Sequence, residues 1–114
     1  MVSTTAASAA GRNPAVLPVP AYSRAIAGAA LSPASLRHMV AQQVVGSPII
    51  ERLISHPPAV GGTWYVGSAR AVRFAAPGVV AVDYEDGHLA GRLVLRIEAA
   101  NDPRTWVVLE DRPR

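Results

Sequence analysis

The stretch VDYEDGHLAGRLVLRIE, residues 82–98, holds three acidic residues and a histidine within six positions: Asp83, Glu85, Asp86 and His88. Carboxylate and imidazole groups at this spacing are candidates for acid–base chemistry or for a metal site. The stretch is also typical of a β-hairpin, because an Asp-Gly pair between alternating apolar runs favours a tight turn. We favour the hairpin, since it places Asp86 in the turn itself, away from a common point with Asp83 and His88.

A two-residue turn at Asp86-Gly87 sets a register in which Tyr84 faces Leu89 and Glu85 faces His88. In this register the apolar side chains share one face of the hairpin, and the ionic side chains lie on the other. The apolar face holds Val80, Val82, Tyr84, Leu89, Gly91, Leu93, Leu95 and Ile97. Such sorting predicts that this face is buried and that the ionic face meets water, with Asp83 diagonal to Arg92.

The composition excludes several classes of site. The chain has 114 residues, a net charge of +3 and no cysteine, which rules out disulfides, thiolate nucleophiles and cysteine-based zinc sites. All eleven basic residues are arginine. Only three of them, scattered, occur in the first 50 residues, too few for a nucleic-acid stripe, so nucleic acid is an unlikely partner. No apolar run is long enough to span a membrane, and no signal peptide is evident, so we expect a cytoplasmic protein.

The composition also divides the chain. Residues 1–20 are mostly Ala, Ser, Thr, Gly and Pro, and they lack the large apolar side chains that a core requires. We predict a disordered or extended tail there, and a single domain over residues 21–114.

Three helices are predicted at the start of the domain. Residues 21–31 form a short helix with an apolar side. Ser32 and Ser47 are each followed by proline, the pattern of an N-cap residue before proline at the first helical position. Helices are therefore predicted over residues 33–45 and 48–55, each with one apolar stripe.

After the third helix the apolar periodicity changes from helical to alternating. The run TWYVGSARAVRFAAPG, residues 63–78, predicts one long strand that is bent or bulged near Gly67. The runs VVAVDYE, HLAGRLVLRIE and RTWVVLED predict three more strands, separated by Pro-, Gly- and Asn-containing turns. The predicted fold is α+β, with two or three helices packed on a four-stranded antiparallel meander.

Four side chains are candidates for a pocket between helices and sheet. Tyr84 and Trp64 lie on the predicted buried face, His38 lies beside the apolar stripe of its helix, and Arg70 is a further inward candidate. A tyrosine next to a carboxylate in a closed pocket can polarise a carbonyl group, but the predicted inward face offers no carboxylate. His56, at the end of the third predicted helix, is interpreted as a cation that complements the helix dipole.

The predicted outer face of the sheet carries Arg73, Arg92 and Arg96. Arginines in this arrangement can bind phosphate. Because Asp83 and Glu85 lie among them, we interpret the surface as a solvated face of mixed charge. These arginines remain the candidates for binding at the sheet surface.

The segments AYSRAIAGAALSPASLRHMV, RAVRFAAPGVVAVDYEDGHLAGRLVLRIE and RTWVVLED resemble small, uncharacterised NTF2-like (cystatin-like) proteins of high-GC actinobacteria. The resemblance covers residues 20–111. It implies a curved sheet that wraps helices and often dimerises through its outer face. Enzymes of that superfamily work in the cone between sheet and helices, whereas the resembling group has no assigned chemistry.

Three functions follow as hypotheses. We favour a non-enzymatic binding or scaffold module that engages another protein, a small apolar ligand or a second copy of itself through its sheet. The first alternative is a cone-pocket isomerase or hydratase that uses Tyr84 and His38. The second is a ribonuclease toxin with His88, Arg92 and Arg96 on the sheet. The sequence predicts no cofactor and no metal for any of them.

Overall fold

The computed structural model describes residues 25–114, which form two helices and one four-stranded antiparallel sheet. The helices are α1 (Pro33–Val44) and α2 (Ile49–Leu53), and the strands are β1 (Val72–Ala76), β2 (Val79–Glu85), β3 (Ala90–Arg96) and β4 (Val107–Pro113). Each strand pairs with the next along the chain, in the order β1-β2-β3-β4. The predicted α+β class and the four-stranded antiparallel meander are therefore confirmed.

Both helices start at or within one residue of the predicted positions. The Ser32 hydroxyl accepts a hydrogen bond from the amide of Ser35 (3.2 Å), and α1 starts at the following proline. Gly46, with φ of +69°, follows the end of α1 in the left-handed conformation that glycine adopts without strain. The Ser47 hydroxyl accepts from the amide of Ile49 (3.2 Å), but the N-cap residue is Pro48 and α2 starts at Ile49, one residue later than predicted. This helix ends two residues earlier than predicted, ahead of two consecutive prolines that disfavour helical backbone.

The first predicted helix, over residues 21–31, is not formed in its described part. Only Gly28–Ala30 make a single 3₁₀ turn. The backbone here pairs with the chain after β3 instead, since Gly28 donates to the carbonyl of Glu98 (3.0 Å) and Ala27 pairs with Ala99. The tail predicted for residues 1–20 lies outside the described residues.

The long strand predicted over residues 63–78 is divided in two. Tyr65 exchanges two backbone hydrogen bonds with Glu85, at 2.8 and 3.0 Å, beside the end of β2. The chain then leaves the sheet through a 3₁₀ turn, Ala69–Ala71, and returns as β1 at Val72. The predicted bulge near Gly67 is thus a longer excursion, in which the amide of Ala71 bonds locally to Ser68 (3.1 Å).

The β2–β3 hairpin has the predicted faces but a different register. Tyr84 lies opposite Gly91, not Leu89, and Glu85 lies opposite Ala90, not His88. The connection is therefore the loop 86–89 and not a two-residue turn. Because the register shifts by two residues, each side chain keeps its face. Leu89 alone leaves the predicted buried set, since it lies in the loop and is exposed.

Gly91 explains why this register is favoured. A Cβ atom at Gly91 would lie 2.2 Å from the hydroxyl oxygen of Tyr84, so the tyrosine ring occupies the space that a side chain would need. An aromatic ring packed over a cross-strand glycine is a known means of fixing strand register. In the predicted register this ring would face Leu89.

The core lies between α1 and the inner face of the sheet. Its fully buried side chains come from α1, α2, the segment before β1, and strands β1, β2 and β3. They are Leu36, Val40, Val44, Ile50, Val66, Val72, Val80, Val82, Tyr84, Leu93 and Leu95. Arg37 fastens α1 to the outer edge of β1, because its Nε donates to the carbonyl of Val72 (3.0 Å). The inward-facing positions predicted from alternation therefore form this core.

We expect Gly91→Ala to destabilise the fold by about 2 kcal/mol or more, because the added methyl group forces Tyr84 out of its packed position. Gly67→Ala is the matched control, since a Cβ atom there meets its nearest neighbour at 3.9 Å, an ordinary contact. Urea denaturation of both variants measures the difference. Equal stability of the two variants would show that the ring does not need the empty space at Gly91.

Candidate functional site

Five side chains meet at one end of the core, and we call them the tyrosine cluster: Ser55, His56, Trp64, Tyr84 and Asp111. The hydroxyl of Tyr84 donates to Oδ1 of Asp111 at 2.5 Å, and Nε2 of His56 lies 2.7 Å from the same hydroxyl oxygen. The ring centroids of Tyr84 and Trp64 are 4.9 Å apart, and the two rings are nearly perpendicular. The cluster is thus a hydrogen-bonded centre packed against aromatic rings.

A β-bulge brings Asp111 into the cluster. Along β4, Val108 pairs with Leu95 but Glu110 pairs with Val94, so Leu109 has no partner in the ladder. The extra residue shifts the alternation of the strand. Asp111 therefore lies opposite the inward-facing Leu93 and turns toward the core.

The hydrogen bonds define where the protons lie. Because Tyr84 donates its proton to Asp111, its oxygen accepts from His56, and Nε2 of the imidazole therefore carries a hydrogen. The second oxygen of Asp111 accepts from both the amide (3.1 Å) and the hydroxyl (3.0 Å) of Ser55. The carbonyl of His56 accepts from the indole of Trp64 (2.8 Å). The cluster thus satisfies its own buried polar groups.

The surroundings of Tyr84 and Asp111 determine their protonation states. Burial raises the pKa of Asp111, but hydrogen bonds from Tyr84 and Ser55 outweigh it and hold the pKa below its ordinary value. Burial, together with the hydrogen bond to Asp111 and its charge, raises the pKa of Tyr84 far above its ordinary value. At neutral pH the cluster holds a neutral tyrosine and an ionised aspartate. Tyr84 is 1% exposed, whereas the side chains of Asp111 and His56 are 10% and 28% exposed.

The structure brings together two of the four predicted pocket residues. Tyr84 and Trp64 are both buried and in contact, as described above. His38 is exposed on α1 and lines a shallow groove with Arg37 and Ala69. Arg70 is exposed in the 3₁₀ turn before β1. The groove that His38 lines includes neither Tyr84 nor Arg70.

The candidate arginines of the sheet surface are engaged with carboxylates. Asp83 lies directly opposite Arg92, not diagonal to it, and accepts from its Nε at 2.8 Å and from Arg73 at 3.0 Å. Burial raises the pKa of Asp83, but the hydrogen bond and charge of Arg92 outweigh it and lower that pKa. Arg96 pairs with Glu98 at 2.5 Å. This is the mixed ionic face that the alternation predicts.

The four ionisable residues of the opening stretch lie in different places: Asp83 and Glu85 are in β2, whereas Asp86 and His88 are in the loop that follows it. Asp86 organises its loop by accepting backbone hydrogen bonds from Ala59 (2.5 Å), His88 (2.7 Å) and Leu89 (2.6 Å). The amides of Leu89 and Ala59 are the main causes that lower the pKa of Asp86. No group of three or more potential metal ligands occurs within residues 25–114.

Three members of the cluster were not among the predicted pocket residues: Ser55, His56 and Asp111. The statement that the inward face lacks a carboxylate is wrong, because the bulge at Leu109 turns Asp111 inward. His56 does not lie at the end of a helix, since α2 ends at Leu53. The only indication of these partners in the sequence is that Tyr84 lies on the predicted buried face, where a tyrosine hydroxyl requires a hydrogen-bond partner.

The outer edge of β4 exposes a short apolar run. Val107, Val108 and Leu109 are 37%, 39% and 50% exposed. Within the described residues β4 is paired as a strand only with β3, so its other edge has no strand partner. The second half of β4 differs, because it carries charged residues and ends at Pro113.

Comparisons of the chain with family models, with curated proteins and with solved structures gave no match. Within residues 25–114, neither helix has the length and apolar character that crossing a bilayer requires.

We expect Asp111→Asn to lower the free energy of unfolding by about 1–3 kcal/mol at pH 7, because an amide cannot accept from three donors at once. The folded-state pKa of Asp111 is below its ordinary value of 3.8. Its contribution is therefore present above that value and is lost as pH falls through the folded-state pKa. The difference between variant and wild type should shrink below about pH 4.

Urea denaturation between pH 2.5 and 7 measures this difference. Glu51→Gln, which removes a carboxylate from an exposed position of α2, is the control for loss of charge alone. A gap between wild type and Asp111→Asn that stays constant across this pH range would contradict the assigned role.

Proposed function

We propose that this chain is a non-enzymatic protein-binding module that associates with a second copy of itself through the free edge of β4. The observation that carries the proposal is the apolar run Val107–Leu109 on an edge without a strand partner in the described residues. Unpaired backbone groups on such an edge are a template for another strand. In the dimer the sheet continues from one copy into the other.

The two halves of β4 support pairing at its beginning. The first half is apolar and exposed on both faces of the sheet, with Val107 opposite Arg96 on the outer face and Val108 opposite Leu95 on the inner face. The second half is guarded by Glu110 and Arg112, which form an ion pair. Charge and proline are common means of blocking an edge, so this half is unsuited to a partner strand.

The apolar run is also suited to itself. A two-fold axis through Val108 places Val107 of one copy opposite Leu109 of the second copy in an antiparallel pair. Each apolar side chain then meets another apolar side chain, and backbone hydrogen bonds form between the edges. This symmetry favours a homodimer over an unrelated strand.

Features of the other candidate sites support a binding role over catalysis. The polar groups of the tyrosine cluster are hydrogen-bonded to one another. The isomerase hypothesis needs His38 beside Tyr84, whereas the groove that His38 lines does not include Tyr84. The ribonuclease hypothesis needs free arginines, whereas Arg92 and Arg96 are paired with carboxylates. We further propose, from the helices packed on a meander, that the fold is of the NTF2-like type. We also propose that the protein is cytoplasmic.

We expect the double substitution Val107→Lys and Leu109→Lys to convert the dimer to a monomer, because charges on both copies meet across the axis. Val60→Lys is the matched control, since Val60 is a fully exposed valine in the loop after α2. Sedimentation equilibrium measures the dissociation constant, which should rise at least about tenfold in the double variant only. A monomeric wild type at high concentration, or a dimer that tolerates both lysines, would refute the proposal.

A further inference from the structure

A groove lies between α2 and the 3₁₀ turn Pro103–Thr105, just before β4. Its volume is about 300 Å³, and it is lined by Ile49, Arg52, Leu53, Pro103, Arg104 and Trp106. We propose that this groove binds a small amphiphilic monocarboxylate, with an apolar body against Trp106 and a carboxylate against Arg52. The groove adjoins the start of β4, but none of its lining residues belongs to the run Val107–Leu109 of the proposed dimer contact.

The floor of the groove suits an apolar body. The indole of Trp106 is buried, and its Nε1 donates to the carbonyl of Ala99 at 2.8 Å. The ring therefore presents an apolar surface without an unsatisfied donor. Ile49 and Leu53 are half-buried on the α2 side and add aliphatic contacts. Ligand sites are typically apolar with a few polar groups that fix orientation.

The charges at the groove favour one anionic group. Arg104 is already paired, because its Nε and terminal nitrogen donate to the two oxygens of Asp102 at 3.0 and 3.1 Å. Arg52 makes no ion pair or side-chain hydrogen bond with any residue in the range 25–114. Glu51 adjoins it, but adjacent side chains on a helix do not face each other. One positive charge is thus uncompensated.

The chemistry of Arg52 selects the anion. Guanidinium groups bind carboxylates and phosphates through two parallel hydrogen bonds, and the single uncompensated charge of Arg52 matches a singly charged carboxylate. The volume of about 300 Å³ is at the lower limit of ligand pockets, so the body is a single ring or a short branched chain. The 3₁₀ turn on the other wall is fixed by Asp102, which caps the amide of Arg104 at 3.1 Å.

The tryptophans of the chain provide an internal control for the test. The chain has two tryptophans, and only Trp106 lies at the groove, whereas Trp64 belongs to the tyrosine cluster. In ¹H–¹⁵N spectra we expect 4-phenylbutyrate to shift the indole signal of Trp106 and leave that of Trp64 in place. The uncharged 4-phenylbutanol should bind about tenfold more weakly, as it lacks the carboxylate.

Arg52→Gln should weaken 4-phenylbutyrate binding by about tenfold and leave binding of the alcohol unchanged. Arg70→Gln is the control, because Arg70 is an exposed arginine outside the groove. Both positions are on the surface, so neither variant should impair folding. Three results would overturn the proposal: a Trp106 signal that does not move, equal binding of acid and alcohol, or equal losses in the two variants.

Discussion

The buried hydroxyl of Tyr84 is the constraint on which much of this structure depends. The residue is 1% exposed, and a phenolic hydroxyl out of contact with water needs partners or costs about 1–3 kcal/mol. Its partners, Asp111 and His56, come from the last strand and from the segment after α2. One hydrogen-bonded centre therefore joins the sheet to the helical layer at a place where α2 itself is short.

The same bulge that serves this centre shapes the exposed edge. In a regular β4 the side chain of Asp111 would point outward, away from Tyr84. The extra residue Leu109 shifts the alternation of the strand, so that Asp111 points inward. The bulge leaves Leu109 exposed beside Val107 and Val108. The inserted residue thus has two consequences: Asp111 turns inward, and Leu109 extends the exposed apolar run that Val107 and Val108 begin.

The sequence predicts local features well and long-range ones poorly. Serine caps and alternating side chains depend on neighbours in the chain, so α1 and the buried faces of β2 and β3 followed from them. The hairpin register depends on Tyr84 packing over Gly91, and its loop depends on Asp86 binding the amide of Ala59, 27 residues away. Such contacts leave no periodic signal, and the bulge breaks the alternation that would have revealed Asp111.

The titration behaviour of the cluster is the reverse of catalytic tuning. Proton transfer at neutral pH is efficient when the pKa of an acid or base lies near 7. Burial raises the pKa of Tyr84, which moves it further above neutral pH. Burial also raises the pKa of Asp111, but the hydrogen bonds that Asp111 accepts outweigh this effect and move its pKa further below neutral pH. Both groups are held in one protonation state, as suits a structural joint. The proposed binding role depends instead on surfaces with free groups, the edge of β4 and Arg52.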